Sequence, residues 1–252
     1  MISGLLAPGV LRGLPHKRWS PGNEPGADRV SPANQRGILM RGQRLLRHLV
    51  ALSIAFGAGS ASAAELAELP SEVLSDLVSE VEQSDTDTDT KLSVLKLLSS
   101  DVRGDVRASV AEAAGHLWPD NKEDSLALVR ALAQDGSTKV RAAAANGLTR
   151  MLYLASPAER VEVVCTFAVA DAPAERLALA RALSSHVPVL VADLALEQLA
   201  NDDEPEIRAA AVRAALQRID EAPATYRRLA AERIADPDRN VRRAAKRLLG
   251  RA

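Results

Sequence analysis

Along most of the chain, apolar residues return at i, i+3, i+4 and i+7, the spacing that gathers them on one side of an α-helix. Leu126–Ala133 and Val140–Leu148 are two such runs. Between runs sit clusters of Pro, Asp and Asn, such as Asp236-Pro237-Asp238-Arg239-Asn240, which suit turns and helix N-caps. The pattern predicts a first, capping helix over about 70–83. It then predicts paired helices over 90–99 and 104–117, 121–134 and 138–154, 157–169 and 173–185, 189–200 and 205–219, and 223–235 and 239–249. The apolar content is 47% but the aromatic content only 2%, with Ala and Leu dominating. Small aliphatic side chains let helices approach closely, and a sandwich or barrel would want more β-branched and aromatic residues. The expected class is all-α.

The helix pairs share a phrase: Asp, four residues, Val or Ile, then Arg. It reads Asp101…Val106-Arg107, Asp135…Val140-Arg141, Asp202…Ile207-Arg208 and Asp236…Val241-Arg242, with the Asp residues 34, 67 and 34 apart. The middle interval is two periods. A degenerate copy falls in it at Asp171, followed by Glu175-Arg176-Leu177. Each copy is a helix A, a short turn and a helix B. One hairpin cannot bury its own apolar face, but a stack of them builds a continuous core. The chain is therefore expected to be an α-solenoid of about five hairpins plus an N-terminal capping helix. The Asp is expected to accept from N–H groups at the start of helix B. The Arg is expected to reach that carboxylate or the one in the next repeat. The set Asp101, Arg107, Asp135, Arg141, Asp202, Arg208, Asp236 and Arg242 then reads as a structural ladder and not as a reactive site.

The Asp in the turn and the Val-Arg pair early in helix B resemble the HEAT-repeat family, over roughly residues 88–250. The repeats are similar to the short bacterial type also found in phycobilisome-lyase relatives. The third repeat departs from the pattern. The resemblance implies a protein-binding scaffold; a chromophore-lyase-like or enzyme-accessory protein is the second reading, against which export and the lack of a convergent polar cluster count. A structural element stacking on itself is a third reading.

Residues 40–63 carry the three parts of a secretory signal. Arg41, Arg44 and Arg47 form a positive start, Leu49–Ala58 an apolar stretch, and Ala61-Ser62-Ala63 a cleavage pattern before Ala64. The expected product is periplasmic or secreted, with no stable membrane span. Residues 1–39, rich in Pro, Gly and Arg, read either as a disordered tail or as an extension upstream of a true start at Met40. Residues 64–252 would then form the solenoid. They hold 24 basic and 31 acidic side chains, a net of −7. Residues 205–252 hold 12 basic and 6 acidic, a net of +6, which leaves 64–204 at −13. An acidic partner protein, or anionic lipid headgroups, is the occupant such a basic end would suit.

Chemistry is sparse in this sequence. Asp85-Thr86-Asp87-Thr88-Asp89-Thr90 is similar to the start of a calcium loop, but Thr90 replaces the Gly and Lys96 the closing Glu. It reads as a polar turn with an N-cap. His116 and His186 lack the His-Glu dipeptides of the di-iron HEAT hydroxylases. Cys165 is the single cysteine and reads as buried among Val163, Val164, Phe167 and Val169. There is no Gly-rich phosphate loop and no Gly-x-Ser-x-Gly. Little aromatic surface exists for stacking bases, so nucleic acid is not expected as a partner. No catalytic residue, cofactor or metal ligand is expected. Candidate partner contacts are Ser109 and Glu112, Arg213 and Gln217, and Arg243 and Lys246.

Overall fold

The computed structural model describes residues 69–183 and 187–250. The expected extension, signal and cleavage site, together with His186 and Arg251, lie outside the described residues. Eleven α-helices follow one another, and no strand occurs among the described residues. They are α1 (Ser71–Gln83), α2 (Thr88–Leu98), α3 (Gly104–His116), α4 (Lys122–Ala133), α5 (Thr138–Leu154), α6 (Pro157–Ala168), α7 (Pro173–Ala182), α8 (Val189–Ala200), α9 (Pro205–Gln217), α10 (Pro223–Arg233) and α11 (Arg239–Leu249). The chain is an all-α solenoid. Helices α2 to α11 form five A/B hairpins, and α1 packs on α3 as each B helix packs on the next.

Local sequence sets these boundaries. Pro opens α6, α7, α9 and α10, where its missing N–H and fixed φ cost nothing. Three A helices carry side-chain caps: Asp87 on α2, Asn121 on α4, and Ser156 on α6 in a capping box with Glu159. The Asp87 carboxylate accepts from the Thr90 N–H at 2.9 Å and the Thr90 hydroxyl at 2.7 Å. The run of alternating Asp and Thr is thus a capped helix start.

The core runs continuously through the stack. Val106, Val140, Ile207 and Val241, the aliphatic residues of the repeated phrase, are 0%, 0%, 1% and 0% exposed. Around them the B helices bury many Ala, as in Ala111, Ala144, Ala180 and Ala211, alongside larger residues such as Leu148, Met151 and Leu179. Helices α3 and α5 come closest. A Cβ built on Gly115 would lie 2.4 Å from the Gly147 carbonyl oxygen, and one on Gly147 would lie 2.3 Å from that of Ala111. The two backbones are in direct contact there, which only glycine permits.

Cys165 corrects an expectation. It is exposed. Helix α6 turns Val163, Val164, Phe167 and Ala168 inward, so Val161, Cys165 and Val169, at i, i+4 and i+8, share the opposite side. Val169, also expected in the core, is 71% exposed. An apolar neighbourhood in sequence was no guide here, because four-residue spacing decides the side and adjacency does not.

Candidate functional site

The repeated Asp and Arg form a ladder, built differently from the sequence expectation in two respects. The Asp does not cap helix B. Its Oδ1 accepts from the N–H two residues on, ahead of the first helical residue: Arg103 at 2.8 Å, Ser137 at 2.7 Å, Glu204 at 2.9 Å and Asp238 at 2.9 Å. This is the Asx-type brace of a turn. Helices α3, α5, α7 and α9 have no side-chain cap, whereas Asp238 caps α11 through Asn240 and Val241.

The Arg spans two turns at once. Its Nη1 donates to the backbone of its own turn, and its Nε and Nη2 donate side by side to the Asp of the next. Arg107 gives Nη1 to the Asp101 carbonyl at 2.6 Å, and Nε and Nη2 to Asp135 at 2.6 and 2.9 Å. Arg208 does the same between the Asp202 and Asp203 carbonyls, both at 2.9 Å, and Asp236, at 2.9 and 3.0 Å. A guanidinium presenting two parallel N–H groups to a carboxylate is the geometry that favours Arg over Lys. The Arg107 guanidinium holds the Asp135 carboxyl below the usual carboxylate range, and Arg208 does so for Asp236. At Asp202 burial pushes the carboxyl up, but the Arg176 guanidinium and the Glu204 N–H outweigh it, and the net shift is downward.

The third repeat is the second departure. Asp171 is not its turn residue. Arg176 gives Nη1 to the carbonyls of Ala170 at 2.8 Å and Asp171 at 3.0 Å, and Nε and Nη2 to Asp202 at 2.6 and 3.1 Å. Six residues before the Arg therefore stands Ala170, in the slot held elsewhere by Asp. One residue before Arg176 stands Glu175, in the slot held elsewhere by Val or Ile.

Two consequences follow from that shift. Arg141 finds no carboxylate ahead of it; it bonds the Asp135 and Gly136 carbonyls at 2.8 and 3.0 Å and the Thr138 hydroxyl at 3.1 Å. Glu175, only 3% exposed, is gripped instead by helix α4, through Arg130 Nε at 2.7 Å and Gln134 Nε2 at 2.8 Å. One carboxylate has been lost from the turn and another gained one slot before the Arg, with its own cation. Regularising the repeat should be tolerated. Glu175→Val is expected to leave stability within about 1 kcal/mol of the parent, because Arg130 can return to water. Ala170→Asp is expected to give Arg141 its rung and to stabilise by about 1 kcal/mol. Urea denaturation of both variants checks this; a less stable Ala170→Asp protein would refute the slot assignment.

The ladder ends differently at its two ends. At the first turn, Asp101 is held by Arg103 of the same turn, at 2.8 and 2.6 Å. At the last turn, Arg242 gives Nη1 to the Asp236 and Pro237 carbonyls, both at 2.7 Å. Its Nε and Nη2 meet no carboxylate among the described residues. Arg239, Arg242, Arg243, Lys246 and Arg247 line one open concavity of about 510 Å³.

The predicted contact residues fall on two surfaces. Glu112, Asn146, Arg181, Arg213 and Arg247 occupy the same slot, five after the ladder Arg, in successive B helices. All are exposed except Arg181, which is half-buried. Glu112 accepts from Asn146 at 3.3 Å. Gln217 is one turn beyond Arg213 and exposed, whereas Ser109 is half-buried and bonds the Asp105 carbonyl at 3.3 Å. Arg243 and Lys246 do not join Arg213 and Gln217; they belong to the end concavity. His116 is paired with Glu82. Sequence reasoning missed Arg218, 1% exposed, whose Nη1 donates to the Leu183 carbonyl at 3.3 Å and whose Nη2 donates to that of Val187 at 2.7 Å. Nothing in the repeat marks it, since no other B helix carries an Arg there. Its Nε faces the Tyr226 hydroxyl, which burial, with Asp193 nearby, pushes up to about 12. Also missed were Leu190 and Leu194 of α8, 72% and 63% exposed.

Among the described residues no group of three or more His, Cys, Asp or Glu side chains is placed to hold a metal ion, and no helix is long and apolar enough to cross a membrane. No family model matches the chain, and no curated protein matches it. Solved structures do. An engineered protein from a structural genomics consortium matches at 17% identity with a TM-score of 0.41, covering 81% of this chain and 95% of its own. Cex1p matches at 14% identity with a TM-score of 0.49, covering 85% of this chain and 43% of its own. A second engineered protein matches at 18% identity with a TM-score of 0.40, covering 75% and 88%.

Proposed function

We propose that this chain is a HEAT-repeat protein that is exported from the cytoplasm and acts as a non-catalytic scaffold, holding another protein against its B helices. The observation that carries the reading is the row Glu112, Asn146, Arg181, Arg213, Arg247. The ladder around it uses its charges on itself. The row is more open: Glu112 accepts from Asn146 and Arg181 pairs with Glu206 at 2.9 Å, but Arg213 and Arg247 are exposed, and the charge passes from acidic through neutral to basic along the stack. A surface graded in this way orients a partner as well as attracting it. The fold supports the reading by analogy, since stacked hairpins present long surfaces for binding.

A photo-crosslinking amino acid placed in the full chain at Gln217, and separately at Leu190, tests this in the source cells. A discrete adduct from Gln217 is expected, and it should weaken when Arg213 is changed to Glu. Adducts from Leu190 alone would overturn the B-helix row as the binding surface. No adduct from either position would overturn the scaffold. The same adducts, recovered from envelope or medium and not from cytoplasm, would test export.

A further inference from the structure

The last turn of the ladder is a rung with one side missing. In repeats one, three and four the Arg is fixed by its Nη1 bonds to its own turn, and Nε and Nη2 close on a carboxylate ahead. Arg242 carries the same Nη1 bonds, at 2.7 Å to Asp236 O and to Pro237 O. Its other two donors are therefore held in the orientation that takes a carboxylate.

The surroundings say what does not fill this place. In inner B helices the residue four after the ladder Arg is Ala111, Ala145, Ala180 or Val212, each no more than 4% exposed, and the residue one after it is Ala108, Leu177 or Ala209, no more than 8% exposed, with only Ala142 exposed. These are the helices that pack each on the next. In α11 those slots hold Arg243 and Lys246, both exposed. With Arg239 and Arg247 they surround Arg242 with four further cations and, among the described residues, no paired acid. Another apolar hairpin stacked here would bury two unpaired charges, at a cost such a contact does not recover. A second copy of the chain fits poorly too. The carboxylate it would offer from its own first turn, Asp101, is already taken on both oxygens by Arg103.

We propose that this end face is a carboxylate receptor: an acidic segment of a different protein docks on α11 by placing an Asp or Glu side chain on Arg242 Nε and Nη2, completing the ladder. Arg239, Arg243, Lys246 and Arg247 hold the neighbouring acidic residues. The inference extends the scaffold reading to the end of the stack and names the chemistry of its partner. The two fail separately, because the crosslinks above arise from α9 and the test below reads α11.

The probe is a fluorescently labelled hexa-aspartate peptide, with hexa-asparagine as its uncharged counterpart, titrated with the full chain at low salt and followed by anisotropy. Hexa-aspartate is expected to bind and hexa-asparagine not. Arg242→Lys keeps the charge but not the pair of parallel donors, and is expected to weaken binding about tenfold. Arg141→Lys, which alters an equivalent brace inside the stack, is expected to leave binding unchanged, and thermal melts of both variants check folding. Lys246→Gln, an exposed change that breaks no hydrogen bond, is expected to weaken binding several-fold even if Arg242→Lys does not fold. Equal binding by parent and a folded Arg242→Lys would reduce the face to diffuse charge and overturn the receptor. So would hexa-aspartate binding unaffected by Lys246→Gln, or capture of phosphatidylserine vesicles with no binding of the peptide. A salt-sensitive oligomer of the parent chain, absent in Arg242→Lys, would make the occupant a second copy and overturn the proposal as stated.

Discussion

Gly147→Ala is expected to destabilise the protein by about 3 kcal/mol, although alanine is the better helix former by about 1 kcal/mol. The added methyl would sit 2.3 Å from the Ala111 carbonyl oxygen. That atom is main chain inside a regular helix, so no side chain can swing away and α3 itself must move. Moving it opens the packing of Ala111 and Ala114, both fully buried. Gly115→Ala should behave alike, since its methyl would meet the Gly147 oxygen at 2.4 Å and Cα at 2.7 Å. Gly136→Ala is the control. Nothing lies within 4 Å of its added methyl, and stability should change by no more than about 0.5 kcal/mol. The midpoint of urea denaturation, at unchanged slope, separates the cases. A Gly147→Ala protein as stable as the parent would mean that α3 and α5 are further apart than described.

Asp236→Ala is expected to cost about 3–5 kcal/mol. Its carboxylate side chain is 2% exposed and the Arg208 side chain 11%. Removing the acid strands a guanidinium that cannot reach water without breaking its bonds to the Asp202 and Asp203 carbonyls. It also removes the brace on the Asp238 N–H. Arg208→Leu combined with Asp236→Ala should be less damaging than Asp236→Ala alone, because no buried charge is then left unpaired. The double-mutant cycle on denaturation free energies measures this coupling, and additive losses would show that the rung contributes little.

Acid should act on the same rungs. The carboxyls of Asp101, Asp135, Asp202 and Asp236 are all lowered in the folded chain. The unfolded chain therefore takes up protons first as pH falls. The stability these groups confer is complete above about pH 5 and declines from about pH 4 downward, as pH approaches the folded values. Denaturation midpoints collected from pH 7 to pH 3 should show that decline, and Asp236→Ala should show less of it. A parent protein equally stable across the range would remove the carboxylates from any role in holding the stack.

Much of this fold can be read in the sequence because its signals are local. A Pro at the first turn and the 3.6-residue return of apolar positions placed all the described helices to within about three residues of the expectation. The ladder residues could be named from their period. What they bond to could not. Whether Arg107 serves its own turn or the next depends on the rise between repeats, which no single repeat encodes; it proved to serve both. The third repeat misled because the eye seeks an Asp. Asp171 was nearest, while the working slot is occupied by Ala170 and its charge has moved to Glu175. Arg218 was illegible for a related reason: beside Glu221 and Tyr226, its partners are carbonyls 35 and 31 residues away, and carbonyls leave no mark in a sequence. Cys165 went astray because burial was judged from neighbours along the chain and not from neighbours along the helix side.

The ladder also bears on how such a chain can be rearranged. A repeat that offers an Asp backward and an Arg forward carries a plug and a socket of one standard. A whole repeat of that kind can be duplicated or deleted, and the flanking turns will still mate. The third repeat breaks the standard on one side only. Its Arg176 socket accepts any Asp, but its Glu175 plug fits only a preceding A helix that carries Arg130 and Gln134. The second and third repeats are thereby keyed to each other. In any shuffling of this gene they would have to travel together, and so would the first and second, whose B helices touch through Gly115 and Gly147; only the later joints follow the common standard.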